Sequence, residues 1–151
     1  MKKLFLRNFG LAPVLALVLV CTAWAHGSSQ GDVRVEHSYA TPGTSDSVVY
    51  FRALRNTGDQ PERLLQASTP VAAQVELQRS LAQAGGKTAV AVAAIELPAR
   101  STTPMRHDKG EYRLLLKGLK QPLQDGDRFD LHLHFERAGA LAVKVWVQAA
   151  P

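Results

Sequence analysis

Residues 128–136 alternate with period two, Phe129, Leu131, Leu133 and Phe135 against Arg128, Asp130, His132, His134 and Glu136. A helix would scatter these apolar side chains around its axis, whereas an extended strand gathers them on one face and leaves the polar ones on the other. One wet face and one apolar face describe a strand of an antiparallel sheet, because parallel strands are covered on both sides. Such a strand needs other strands whose apolar faces complete a core.

Those partners run along the whole chain. Residues 32–39 alternate Val33, Val35 and His37 with Arg34, Glu36 and Ser38, after a loose polar leader, 26–31. Residues 48–56, VVYFRALRN, begin β-branched and aromatic and end at the turn Asn56-Thr57-Gly58-Asp59. Residues 73–80 set Val75 and Leu77 between Gln74, Glu76 and Gln78. Residues 88–95, TAVAVAAI, read as a strand of small residues, because Gly85-Gly86 precedes them and Pro98 follows; their alanines alone would suit a helix equally well. Residues 100–103 form an edge strand stopped by Pro104, and 112–116 and 140–147 complete the set. Residues 40–47 and 67–70 read as loops. There is no internal repeat and no helical period. Many short strands at near-even spacing, separated by Gly and Pro turns, predict an all-β antiparallel sandwich in a single domain over 32–151.

The first 25 residues stand apart from that domain. Lys2, Lys3 and Arg7 precede an apolar run from Leu11 to Val20, and Ala23-Trp24-Ala25 is a small-x-small cleavage signature. This is the pattern of a secretory signal peptide cut between Ala25 and His26. The run is short for a membrane span of about 20 residues, so no stable membrane anchor is expected after cleavage. Cys21 follows Val20 where a lipid-attachment signal needs a small residue. The expected location is periplasmic or secreted. Charge agrees with an ordinary exported domain. The chain has 18 Lys+Arg and 13 Asp+Glu, and the first 25 residues hold three of the bases and no acid, which leaves 15 against 13. With no basic block left, nucleic acid is excluded as a partner. The single cysteine leaves with the signal, so the mature domain relies on its core rather than on disulfides.

The order of landmarks in the domain is informative. It runs from residues 50–59 (YFRALRNTGD) through 61–65, Ala67-Ser68, Val75-Glu76-Leu77 and Ile95-Glu96-Leu97-Pro98-Ala99. It continues with Tyr112 and Leu116, Gly118-Leu119-Lys120, Pro122-Leu123, Gly126-Asp127, Phe135-Glu136 and Ala138-Gly139. This order resembles the PCu(A)C family of periplasmic copper chaperones. The resemblance implies a cupredoxin-like fold, Cu(I) as cofactor, delivery toward the copper centre of a respiratory oxidase, and a cytochrome oxidase assembly factor or subunit as partner. It also implies where ligands would sit: a His directly after the V-E-[LI] strand, a Met about a hairpin later, and an H-x-M pair on the strand that opens the G-L-K segment. Thioether sulfur and imidazole suit soft Cu(I). In this chain those positions are Gln78, Ala89, Arg113 and Leu115. None is a useful Cu(I) ligand, and Arg113 brings a permanent cation.

Other donors remain. Met105 and His107 form an M-x-H pair near the rim of that site, although Met105 also suits the core and His107 an exposed loop. His132 and His134, two apart on one wet face, have a geometry that can take Cu(II) or Zn(II), and equally suit a plain polar surface. His26 would add an amino group and an imidazole at a new N-terminus. His37 reads as a packed residue. No motif pairs a nucleophile with a base, no Gly-rich phosphate loop occurs, and Asp125-Gly126-Asp127 is a turn, so no enzyme is expected. The expectation is an exported copper-chaperone-like protein with a degenerate or relocated metal site. The alternative is a β-sandwich interaction module whose Arg79, Arg113 and Lys117 form a basic patch for a periplasmic protein.

Overall fold

The computed structural model describes residues 27–149. Residues 1–25, read from the sequence as a signal peptide and containing Cys21, lie outside them, and so does His26. Eleven strands follow in order: β1 (Gly27–Gln30), β2 (Val33–Ala40), β3 (Asp46–Asn56), β4 (Glu62–Ser68), β5 (Ala72–Gln83), β6 (Gly86–Ala91), β7 (Ile95–Leu97), β8 (Ser101–Met105), β9 (Tyr112–Leu119), β10 (Arg128–Phe135) and β11 (Gly139–Val147). The fold is all-β, as the alternation predicts. The strands form one hydrogen-bonded path, β6-β5-β9-β3-β2-β11-β10-β4-β7, with β1 added to β2 and β8 to β3.

The path has two halves. Pairing is antiparallel except where they meet, at a two-residue parallel contact of Trp146 with Tyr39 and Val147 with Ala40. The chain crosses between the halves repeatedly, so their inner faces share one core. Phe129, Leu131, Leu133 and Phe135 of β10 and Leu141, Val143, Val145 and Val147 of β11 enter it from one half. Val49, Phe51, Leu54, Leu114 and Leu116 enter it from the other. Each fully buried Leu, Val or Phe is worth about 1.5–3 kcal/mol, so this core carries a domain without disulfides.

Several elements differ from the sequence expectation. Residues 27–30, read as a loose leader, pair with β2 from Gly27↔Glu36 to Gln30↔Val33. Residues 62–68, read partly as loop, form β4 against β10. The run 88–95 is split: β6 ends at Ala91, the Val92 N–H turns aside to the Leu77 carbonyl, and Ile95 starts β7 in the other half. Pro104 does not stop β8, because β8 is an edge strand on β3 and Pro104 falls in a register shift where it owes no hydrogen bond. His37 is exposed rather than packed, with φ 48°. On either side of it the buried set changes phase, from Val33 and Val35 to Ala40, and the facing strand changes from Leu54 to Phe51.

Two polar anchors fix loops to this frame. Asn56 donates from its amide to the carbonyls of Gln60 (2.7 Å) and Leu97 (3.1 Å) and accepts the Gly58 N–H (3.0 Å). Glu62, 5% exposed, accepts the backbone N–H groups of Arg63 (2.8 Å), Arg137 (3.0 Å) and Ala138 (2.9 Å). The second anchor ties the β10–β11 turn to β4.

Candidate functional site

The outer face of the β5–β9 pair is built by alternation. Val75 and Leu77 oppose Leu116 and Leu114 on the core side, so Gln74, Glu76 and Gln78 lie beside Lys117, Leu115 and Arg113 on the other. The structure thereby brings Gln78, Arg113 and Leu115 together on one surface. Ala89 stands on β6 opposite Ser80, close by along the same hairpin.

Side chains on this face are already engaged with one another. Arg113 Nε donates to Gln78 Oε1 at 2.8 Å, Gln78 Nε2 donates to Glu76 Oε1 at 2.7 Å, and Lys117 Nζ donates to Glu76 Oε2 at 3.2 Å. The result is a continuous polar ladder, Arg113–Gln78–Glu76–Lys117, with a cation at each end. Gln78, in its middle, is only 6% exposed. The Gln78 amide, and after it the Lys117 ammonium, hold the Glu76 carboxyl below the usual carboxylate range. Chemically the ladder offers fixed positive charge and spent hydrogen-bond acceptors. It has no sulfur or imidazole, the donors that soft Cu(I) needs.

The basic patch expected from Arg79, Arg113 and Lys117 does not assemble. Arg79 neighbours Gln78 in sequence and so points to the opposite face, where its guanidinium lies 5.9 Å from the Tyr112 ring centroid and 4.0 Å from Glu111. Lys117 is paired with Glu76 at 3.2 Å.

Met105 and His107 are also separated by their environments. Met105 ends β8 opposite Phe51 with no exposed surface and belongs to the core. His107 lies outside the core, edge-on to the rings of Tyr39 and Tyr50. Its backbone N–H donates to Tyr39 Oη (3.3 Å), and its Nδ1 lies 3.1 Å from the same oxygen. The phenol oxygen can accept both of these contacts or give its own proton to the ring, so the direction of the second follows the imidazole tautomer. Burial pushes the Tyr39 phenol up.

His132 and His134 stand exposed on the outer face of β10. They face Ser68 and Gln66 on β4 and Ala142 and Ala140 on β11. Among the described residues no three His, Cys, Asp or Glu side chains gather into a cluster that could hold a metal ion. Sequence reasoning passed over two members of these arrangements. Glu76 was legible only as a wet-face residue, although its place two residues from Gln78, on a strand facing Arg113 and Lys117, is the pattern of a cross-strand charge ladder. Tyr39 carried no signal, since its contact with His107 spans 68 residues of sequence.

Comparison with known proteins places this geometry in context. A family model described as "Putative lipoprotein LpqE-like" matches residues 31–147. "Putative lipoprotein Lxx21020" of Leifsonia xyli subsp. xyli (strain CTCB07) is 25% identical over 134 residues, covering 88% of this chain and 80% of that protein. Among solved structures, the apo PCuAC domain from PmoF1 superimposes with a TM-score of 0.70 at 20% identity, over 82% of this chain and 99% of that domain. The Cu(I) form of DR1885 from Deinococcus radiodurans superimposes with a TM-score of 0.54 at 29% identity, over 76% of this chain and 78% of that one. The likeness to the PmoF1 domain is one of fold.

Proposed function

Because the chain belongs to the LpqE-like family and shares its fold with PCuAC domains, we propose that it is an exported, non-catalytic copper-chaperone-like protein whose family Cu(I) position is degenerate. One observation carries this reading. Where the resemblance puts the first His and the H-x-M pair, Arg113 is bonded to Gln78 at 2.8 Å within a ladder that ends in a second cation. A soft cation entering there would meet a guanidinium and an ammonium instead of imidazole and thioether. The protein then contributes to copper handling through its surface, by docking a protein that assembles a respiratory-oxidase copper centre. The Cu(I)-bound DR1885 structure supports copper as the context.

The test is a Cu(I) competition titration against a chelator of known affinity. The parent is expected to take up no stoichiometric Cu(I). The fourfold variant Gln78→His, Ala89→Met, Arg113→His, Leu115→Met is expected to gain one equivalent, because the strands already hold those positions together. Tight one-equivalent binding by the parent overturns the reading. Its loss in Met105→Ala or His107→Ala would then assign the ion to a relocated site. Export belongs to the same proposal, with processing after Ala25. The lipoprotein description of the family makes Cys21 the competing end. Intact-mass measurement of the purified protein separates a chain starting at His26 from one starting at an acylated Cys21.

A further inference from the structure

On the half of the molecule away from the ladder, β10 lies between β11 and β4, so its backbone is held on both sides. Its outward row runs Asp130, His132, His134, with the two histidines adjacent on the same face. Their side neighbours are small or short: Ala142 and Ser68 flank His132, and Ala140 and Gln66 flank His134. The charged side chains of this face are occupied elsewhere. Asp130 is paired with Lys144, and Glu136 lies 3.6 Å from Arg63, which also bonds Glu96. By contrast, neither imidazole has a hydrogen bond, ion pair or ring contact among the described residues. The histidine at position 107 is engaged by Tyr39, which makes the idle pair on β10 a real difference within one molecule.

We propose that His132 and His134 form a two-imidazole chelate for a divalent metal ion of the borderline class, Cu(II) or Zn(II). Residues two apart on a strand have Cα atoms separated by roughly 6.5–7 Å, about twice the strand rise. At metal–nitrogen distances of about 2.0–2.1 Å, two imidazoles can lean over that gap to one ion without moving the backbone. Cis imidazoles with open positions suit the tetragonal N,O preference of Cu(II), and water or a donor from another protein fills the rest. The flanking alanines leave room for those added ligands. The site stands independently of the Cu(I) reading: it lies on another sheet half, uses other residues and takes a different class of ion.

The experiment uses the untagged mature protein with Cu(II) alone as probe, titrated calorimetrically in the presence of glycine as competitor. Retention on immobilised Ni(II) serves as a second readout. The variants are His132→Ala, His134→Ala and, as control, His107→Ala. All three change exposed or half-exposed side chains outside the core. The parent is expected to bind and be retained. Either β10 substitution is expected to remove retention and weaken Cu(II) binding by more than the roughly 10–100-fold that loss of a metal site's outer-sphere partner causes. His107→Ala is expected to behave as the parent. Unchanged binding in both β10 variants overturns the proposal, as does loss of retention in His107→Ala alone.

Discussion

Glu76 shows how much a single side chain on the β5–β9 face is asked to do. Its two carboxylate oxygens hold the middle of the ladder, one from the Gln78 amide and one from Lys117. Those bonds favour the charged form, which is why its folded-state value lies below the usual range. For a depressed carboxylate the stabilisation is fully present above the unfolded-state pKa and is lost as pH falls through the folded-state value. Urea unfolding of Glu76→Gln between neutral pH and pH 3 is therefore expected to show a flatter acid limb than the parent. A parallel pair of curves would mean that the ladder does not couple to folding. The other identity that matters at this scale is Arg113. It was readable from the sequence as the wrong residue for a Cu(I) site, because its charge is fixed. What the sequence did not disclose is that this cation is held in place by Gln78, 35 residues earlier in the chain.

At the scale of elements, legibility followed exposure to the core. Strand β10, with four inward apolar residues in strict alternation, is recovered almost to its ends, and so are β3 and β11, whereas β9 runs three residues past the 112–116 read from the sequence, to Leu119. The misread segments are edges and crossovers. Strand β1 has only polar and glycine residues and exists because β2 offers it a free ladder. Strands β6 and β7 sit at opposite ends of the sheet path, yet they share one alanine-rich run whose pattern holds no mark of the crossing. Pairing, rather than side-chain period, decides such pieces. Glu62 belongs to this scale because it joins elements, accepting N–H groups from β4 and from the β10–β11 turn. Glu62→Ala leaves those donors without their carboxylate and is expected to cost about 1–3 kcal/mol, read as a lower urea midpoint at unchanged slope. A loss within about 0.5 kcal/mol, the range of ordinary surface changes, would show that water replaces the carboxylate without penalty.

For the whole molecule, the strands of both halves feed one contiguous core, and only a two-residue parallel contact joins the halves edge to edge. Neither half can bury its inner face alone. Unfolding is therefore expected as a single transition in which far-ultraviolet circular dichroism and tryptophan fluorescence coincide. Separated midpoints would mean that the halves hold structure independently. The fold was legible at this scale because many weak landmarks fell in one order. The arrangement of the candidate sites was not, because it depends on register: Gln78 meets Arg113 across 35 residues, and nothing local fixes that pairing.

The parallel contact also sets a schedule. Val147, the final residue of the last strand, must reach Ala40, near the end of the second, and the Gln148 N–H then bonds the Ala40 carbonyl at 2.9 Å. Contacts between such distant parts of a chain form slowly, since a long loop must close before they contribute. Ribosomal synthesis delivers residue 40 long before residue 147. During that interval the edge-to-edge contact between the halves is missing, and the sheet path stays open until its last strand arrives.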